Sequence, residues 1–214
     1  DKYYSAIAQG EKLWVVGYAG KIIHASRPEG PWQVQREWHE RSLFDIDTVD
    51  GERLWAVGEL GLLLHSQDGG ATWEPQQSGI EQENLLSVDF VDARAGFVVG
   101  EYGVMLRTRD GGRTWEQLPV SSDAILSDVQ FFDAKTGIGA GEFGTFITTQ
   151  DGGESWHAPT GRFAEAETYL YGLDFETPMR GLVTGLEGRV YETQDGGATW
   201  HEYALPTDAP IFDV

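Results

Sequence analysis

The segment Thr108-Arg-Asp-Gly-Gly-Arg-Thr-Trp115 decides the fold, because the chain repeats it at a nearly constant interval. Three further copies keep the Asp-Gly-Gly core and the closing tryptophan, and consecutive tryptophans lie 42, 41 and 44 residues apart. A degenerate copy ending at Trp32 keeps the tryptophan and loses the aspartate and the double glycine. A period of this length indicates a repeat architecture in which each unit is one supersecondary structure. The complete copies span 66–73, 108–115, 149–156 and 193–200.

Two other motifs share this period. Each unit from the second onward opens with an apolar pair such as Leu85-Leu-Ser-Val88, and Ile211-Phe-Asp-Val214 opens a sixth unit. Each unit also contains a Gly-x-x-Gly segment such as Gly100-Glu-Tyr-Gly103.

We expect one propeller domain over 1–214 that forms part of a larger ring of about seven blades. The predicted repeats cover about 1–37, 38–79, 80–120, 121–162 and 163–206, with the next beginning at 207–214.

The third unit shows how each repeat is built. Alternating apolar residues predict strands over 85–90, 96–100, 104–108 and 114–117, and the glycine-rich segments between them predict tight turns. Four antiparallel strands per repeat of about 42 residues are typical of a propeller blade. The predicted fold class is therefore all-β, a β-propeller of four-stranded antiparallel blades with five repeats and the start of a sixth. A solenoid of β-hairpins is the alternative.

Composition excludes several classes of function. The 214 residues carry 15 Lys+Arg against 35 Asp+Glu, a formal net charge of −20, which argues against binding nucleic acid through a basic patch. The chain has no cysteine, so it has neither disulfides nor thiolate metal sites. No apolar run approaches the roughly 20 residues that span a bilayer, so we expect no direct membrane insertion.

The repeated Ser/Thr-x-Asp-Gly-Gly-x-Thr/Ser-Trp segment resembles the Asp-box, or BNR repeat. With the Gly-x-x-Gly turn and the opening at Leu85–Phe90, it makes the whole chain similar to the Asp-box propellers of the photosystem II assembly and stability factor type. That resemblance implies a non-enzymatic protein without cofactor that is periplasmic or otherwise extracytoplasmic and supports a membrane protein complex. The photosynthetic members bind through a basic patch, whereas this chain is acidic. We therefore expect its partner to be a membrane protein or a transport or assembly complex of a bacterial envelope.

The conserved pattern within the four Asp-boxes predicts structural residues. Each aspartate can accept hydrogen bonds from its own turn, and each tryptophan can bury its ring where blades meet. A catalytic group is needed once and not once per blade, so we predict no catalytic residue here. The residues assigned to this structural role are Asp68, Asp110, Asp151, Asp195, Trp73, Trp115, Trp156 and Trp200.

The Gly-x-x-Gly turns predict a partner-binding surface. They join the second and third strands and would place a ring of carboxylates, interspersed with aromatic rings, on one face. Trp38, in the charged connection after the first unit, is the best single anchor candidate. The alternative is a solvated turn that recurs without contacting a partner. The turn residues assigned to this surface are Glu59, Glu101, Glu142, Glu187, Tyr18, Tyr102 and Phe143.

The competing hypothesis is a sialidase-like or other glycan-processing or glycan-binding propeller. Tyr169 and Tyr171 near Glu165 and Glu167 could imitate a nucleophilic pair, but the arginine triad of such sites is absent. Binding of a carbohydrate or lipid in a central channel stays open.

The histidines predict no metal site. His24 and His65 occupy equivalent third-strand positions that vary between repeats, so we expect them on an exposed strand face. None of the histidines shows a spacing typical of metal ligands.

Overall fold

The computed structural model describes residues 2–37, 40–120, 123–158 and 168–212, and its regular structure consists of β-strands and short 3-10 turns. Four such turns span Tyr18–Gly20, Glu59–Gly61, Glu101–Gly103 and Glu142–Gly144. The strands in chain order are β1 Tyr3–Gln9, β2 Lys12–Gly17, β3 Ile22–Ala25, β4 Gln33–Arg36, β5 Leu43–Thr48, β6 Leu54–Gly58, β7 Leu63–Ser66, β8 Glu74–Pro75, β9 Leu85–Phe90, β10 Gly96–Gly100, β11 Met105–Thr108, β12 Glu116–Gln117, β13 Leu126–Phe131, β14 Gly137–Gly141, β15 Phe146–Thr149, β16 Leu170–Thr177, β17 Arg180–Gly185, β18 Arg189–Thr193 and β19 His201–Ala204.

The strands form five sheets, one within each predicted repeat. In every sheet the strand order follows the chain: β1–β4, β5–β8, β9–β12, β13–β15 and β16–β19. The prediction of an all-β chain built of antiparallel blades is confirmed. In the fourth sheet, an isolated bridge between Thr148 and His157 stands where the other blades have a fourth strand.

The chain divides into two compact units, residues 1–98 with 106–117 and residues 99–105 with 118–214. The core of the first unit joins the first two sheets through alternating strand residues, which include Trp14, Leu43 and Leu54, all fully buried. The half-buried ring of Trp73 packs against the same cluster. In the second unit, residues of β14 to β18 form the corresponding core, against which Trp200 packs.

The first strand of four sheets carries a β-bulge near its beginning. The pairing register shifts between Tyr3 and Ser5, between Leu43 and Asp45, between Leu126 and Asp128, and between Leu170 and Leu173. A bulge leaves one residue unpaired and re-aims its side chain. The residues inside these bulges include Tyr4, Phe44, Ser127 and Tyr171.

The described part of the predicted sixth unit, residues 207–212, contains no strand. It is nevertheless held by the fifth sheet, because Ile211 N donates to Gly185 O at 3.1 Å and Gly188 N donates to Ala209 O at 2.9 Å. No helix within the described ranges is long and apolar enough to cross a membrane.

Candidate interaction surface

The Gly-x-x-Gly turns are held against the beginning of the first strand of their own sheet. In the second sheet, Glu59 N donates to Ser42 O at 3.0 Å, and in the fourth, Glu142 N donates to Ile125 O at 2.9 Å. A side chain on Gly58 or Gly141 would collide with those same carbonyls, Ser42 O and Ile125 O. The turn therefore requires glycine at its first position because two backbone segments meet there.

Two of the predicted binding carboxylates are bonded to the backbone of their own blade. Glu59 Oε2 accepts from Ser42 N at 2.8 Å, and Glu142 Oε2 accepts from Ile125 N at 3.0 Å. Each glutamate thus exchanges two hydrogen bonds with one residue and closes the end of its sheet. Glu59, Glu101 and Glu142 are all half-buried. This gives Glu59 and Glu142 a structural task, and a contact of these residues with a partner stays a prediction.

The third position of each turn has an unusual backbone conformation and, in four of the five turns, an exposed side chain. Ala19, Leu60, Tyr102, Phe143 and Glu187 occupy it, and all five hold a left-handed backbone with φ between 52° and 59°. Bulky residues rarely adopt this conformation. Leu60 is 43% exposed, Tyr102 72% and Phe143 62%, so these turns display large apolar side chains to solvent. Leu60 was missed by sequence reasoning, although its position in the motif identifies it.

The remaining predicted binding residues fall into three places. Tyr18 takes the position of the glutamates and is exposed. Glu187 is exposed and lies 3.5 Å from Arg189. Trp38 lies outside the described residues.

A cleft of about 610 Å³ adjoins the displayed Leu60 in the first unit. Its walls come from the turn itself and from the connection that follows β8, and Arg41 Nη1 donates to Leu60 O at 3.3 Å at its edge. The lining includes Arg41, Leu60, Leu62, Gln76, Ser78 and Glu81.

Each Asp-box hairpin is closed by its own side chains. Asp68 Oδ1 accepts from Thr72 N at 2.8 Å, Asp68 Oδ2 accepts from Thr72 Oγ1 at 2.7 Å, and Ser66 Oγ accepts from Gly70 N at 2.8 Å. Asp110, Asp151 and Asp195 accept the same pair of bonds from the residue four positions later. These bonds lower the pKa of all four aspartates, that of Asp151 to about 2 through the Ser155 hydroxyl first.

The box tryptophans are half-buried and meet aromatic rings of neighbouring strands edge-on. Trp115 lies 5.9 Å from Phe90, Trp156 lies 6.0 Å from Phe131, and Trp200 lies 4.9 Å from Phe146, measured between ring centroids. This geometry is a preferred one for aromatic pairs.

Sequence reasoning missed a pair of half-buried carboxylates on β5. Asp45 Oδ2 accepts from Val88 N at 2.9 Å, and Asp47 Oδ2 accepts from Phe90 N at 2.7 Å, so both bind the edge of β9. Burial raises the pKa of Asp45, and it raises the pKa of Asp47 to about 6. The only signal in the sequence is the alternation Asp45-Ile-Asp47, which places both side chains on one face of a strand.

A corresponding clamp joins two strands of the second unit. Asp128 Oδ2 accepts from Leu173 N at 2.8 Å. Gln130 Oε1 accepts from Phe175 N at 2.9 Å and its Nε2 donates to Phe175 O at 3.0 Å. Because the same positions do the same task in both units, we assign the β5 carboxylates to structure and not to acid–base chemistry.

The prediction that His24 and His65 lie on an exposed strand face is wrong. Each imidazole packs on the tryptophan that it faces across the sheet, with ring centroids 5.0 Å apart, Trp14 for His24 and Trp55 for His65. Nε2 of both rings is buried. Desolvation lowers the pKa of both imidazoles, and it is the largest cause in each case. The described residues contain no group of three or more His, Cys, Asp or Glu side chains that could hold a metal ion.

The pair predicted to imitate a nucleophilic site is only partly described. Glu165 and Glu167 lie outside the described residues. Tyr169 and Tyr171 stack on each other with ring centroids 6.4 Å apart.

Comparison with known proteins shows which family the chain resembles. Residues 25–123 match the profile of a family described as photosynthesis system II assembly factor YCF48. The YCF48 of Cyanidioschyzon merolae superposes with a TM-score of 0.70 at 15% identity, over 94% of this chain and 71% of that one. The profile match covers somewhat less than half of this chain, which is therefore similar to the YCF48 family over residues 25–123. The family resemblance predicted from the sequence is thereby confirmed.

Other solved structures share the fold of this chain. A YCF48 bound to a D1 peptide superposes with a TM-score of 0.59 at 15% identity, over 94% of this chain and 80% of that one. An ancestral GH74 enzyme gives 0.78 at 13% identity, over 97% of this chain but only 32% of its own. At such identities these likenesses show the propeller fold and nothing about activity. A comparison with curated protein sequences finds no match.

Proposed function

We propose that this chain is a non-enzymatic protein-binding propeller that supports the assembly, stability or operation of an extracytoplasmic membrane protein complex. The match of residues 25–123 to the YCF48 profile supports this function, and one YCF48 structure contains a bound peptide. The proposed partner is a membrane protein or an envelope transport or assembly complex. The proposed place of action is the periplasm or another extracytoplasmic compartment.

The observation that carries the proposal is the display of large apolar side chains on strained turns. A left-handed conformation costs a non-glycine residue roughly 1–2 kcal/mol, and glycine would avoid that cost. Leu60, Tyr102 and Phe143 hold it although their side chains are 43%, 72% and 62% exposed, so much of their apolar surface adds no burial energy to the blade. Contact with a partner would bury these side chains and explain why they are present.

A glycan-processing activity has less support. A hydrolase needs two carboxylates of unlike pKa that reach the substrate. Asp45 and Asp47 have raised pKa values, but both are half-buried and bonded to backbone amides of β9. The box aspartates are bonded within their own hairpins. The likeness to a GH74 enzyme extends only to the fold.

Affinity purification from detergent-solubilised membranes of the source tests the proposed function. The bait is the tagged full-length protein, compared with a triple variant Leu60→Asn, Tyr102→Asn and Phe143→Asn. Asparagine is suited to these sites because it tolerates the left-handed conformation. We expect the wild type to enrich a specific membrane protein reproducibly and the triple variant to lose it.

The matched control is Met179→Asn, which removes an apolar side chain that is 54% exposed at the turn between β16 and β17. This variant should enrich the same protein as the wild type. Absence of any membrane protein above the level of the triple variant would reject the proposed function.

Protection of the protein from protease in intact cells, lost when the outer envelope is opened, would support the proposed compartment, and protection that persists in spheroplasts would contradict it.

A further inference from the structure

Four aromatic rings of the second unit form a continuous row, which we call the aromatic strip: Phe143, Tyr169, Tyr171 and Phe212. Three of the rings are exposed, and Tyr171 is half-buried. Consecutive ring centroids are 6.0 Å, 6.4 Å and 4.9 Å apart. Phe143 and Phe212 are 62% and 67% exposed, and Tyr169 is also exposed. Exposed apolar surface of this continuity is typical of an interaction site.

The backbone fixes each ring of the strip from a different element. Phe143 sits in the turn between β14 and β15, and Gly144 N donates to Thr168 O at 2.7 Å next to Tyr169. Tyr171 lies in the bulge of β16. Ile211 N donates to Gly185 O at 3.1 Å and so positions Phe212. A strip held in this way loses little conformational entropy when a ligand binds.

The charges around the strip are acidic. The lysine and arginine side chains that the structure describes within the second unit are Lys135, Arg180 and Arg189. Lys135 lies between β13 and β14 and Arg180 begins β17, both at the sheet end away from the strip, and Arg189 pairs with Glu187 and Glu202. At the same sheet end as the strip lie Glu142, Glu187 and Asp208, within a chain of net charge −20.

We propose that the aromatic strip binds an extended, arginine- or lysine-bearing segment of the partner protein. A guanidinium or ammonium group is attracted to the face of a tyrosine or phenylalanine ring. An extended segment presents alternate side chains at intervals of roughly 6.6 Å, close to the ring spacing of the strip. The acidic field of the protein draws such a segment toward the surface. This inference rests on the proposed function, because it specifies the chemistry of the partner that the propeller binds.

Titration with a peptide of alternating arginine and serine, about twelve residues long, tests the inference. Fluorescence anisotropy measures its binding to the full chain. The double variant Phe143→Asn/Phe212→Ser, which removes two exposed rings and no charge, should raise the dissociation constant about fivefold or more. Tyr169→Phe keeps the ring and should bind as the wild type does. Met179→Ser, which removes an exposed apolar side chain elsewhere, should also leave binding within about twofold.

Three further measurements make the outcome decisive. A thermal melt of the double variant that matches the wild type shows that the fold is intact, and if the melt shifts, Phe212→Ser alone repeats the test. A glutamate–serine peptide and a neutral hexasaccharide should bind weakly or not at all. Equal binding of the arginine peptide to the wild type and to the folded ring variants overturns the inference, as does preferential binding of the hexasaccharide. If the membrane pull-down succeeds while the peptide titration fails, the inference is wrong and the proposed function stands. If the titration succeeds while the pull-down fails, the strip binds basic segments and the proposed function is wrong.

Discussion

At the scale of single residues, the third position of the Gly-x-x-Gly turns has a strained backbone that lowers the stability of the fold. Ala19 isolates the cost of the left-handed backbone, because it holds φ 59° and carries only a methyl side chain. We expect Ala19→Gly to raise the free energy of unfolding by about 0.5–1 kcal/mol, since relief of the left-handed strain exceeds the entropy that glycine adds to the unfolded chain. Urea unfolding followed by tryptophan fluorescence measures the change.

The control for this prediction is Ala8→Gly, at an exposed position of β1 with ordinary extended backbone. There glycine should lower the free energy of unfolding by about 0.5–1 kcal/mol. If both variants lose stability to the same extent, the turns are not strained and their side chains need no explanation from binding.

The raised pKa of Asp47 predicts the direction in which the free energy of unfolding changes with pH. Burial raises its pKa in the folded protein from 3.8 to about 6, so the folded protein holds this proton more tightly than the unfolded chain does. The free energy of unfolding should therefore decrease as pH rises from about 4 to about 6 and stay low above that. Asp47→Asn keeps an oxygen that can accept from Phe90 N and removes the buried charge. We expect it to stabilise the protein by roughly 1–3 kcal/mol at pH 7 and to have little effect at pH 4.

Thermal melts of Asp47→Asn from pH 4 to pH 8, beside Asp174→Asn, check this dependence. Asp174 is exposed on β16, so the control removes the same charge without relieving burial. A variant that is less stable than the wild type at pH 7 would show that the carboxylate contributes more through its bonds than burial costs. The Asp-box aspartates act in a separate window, because their lowered pKa values remove stability only as pH falls below about 4.

At the scale of structural elements, the second strand of one blade is fastened to the Asp-box of the next within the first unit. Trp14 Nε1 donates to Gly69 O at 3.1 Å, and Trp55 Nε1 donates to Gly111 O at 3.2 Å. Trp55 also stacks between His65 and Phe90. We expect Trp55→Phe to cost about 2–4 kcal/mol of unfolding free energy, through the lost ring volume and a buried carbonyl without its donor.

Urea unfolding of Trp55→Phe against Trp32→Phe measures this fastening. Trp32 belongs to the degenerate box and is largely exposed, so its replacement should cost less than about 0.5 kcal/mol. Similar losses for both variants would mean that the bond to Gly111 contributes nothing beyond aromatic surface.

The repeat period located the strands in advance, but the side chains of the box decided where they end. The sequence predicts a strand over 114–117, whereas β12 covers only Glu116–Gln117. Thr114 N and Thr114 Oγ1 both donate to Asp110, which keeps this residue in the hairpin turn. The repeat period predicts only where strands lie along the chain. It does not show that a side chain binds a backbone N–H that would otherwise donate to the neighbouring strand.

The sequence predicted where the Gly-x-x-Gly turns lie but not how their glutamates are oriented. The Gly-x-x-Gly motif identified the turns, and Tyr102 and Phe143 are indeed exposed. That Glu59 and Glu142 turn back onto Ser42 and Ile125 depends on how closely the first strand approaches, which no local pattern records. The contact of Phe143 with Tyr169 and of Tyr171 with Phe212 depends on tertiary pairing across separate repeats.

At the scale of the whole molecule, a net charge of −20 acts on every approaching partner before any contact forms. Long-range attraction raises association rates and is screened by salt, whereas short-range ring contacts set how long a complex lasts. For the arginine–serine peptide, we therefore expect the association rate constant to fall about tenfold between about 50 mM and about 500 mM NaCl. The dissociation rate constant should change less than about threefold over that range.

Stopped-flow mixing separates the two contributions. Phe143→Asn/Phe212→Ser should raise the dissociation rate constant at every salt concentration and leave association unchanged, because the double variant keeps the net charge. Glu11→Gln/Glu29→Gln, which removes two exposed charges in the first unit, should slow association slightly and leave dissociation unchanged. If salt and the ring variant alter the same rate constant, charge and rings act together at one contact. In that case the acidic field does not steer partners to a separate aromatic surface.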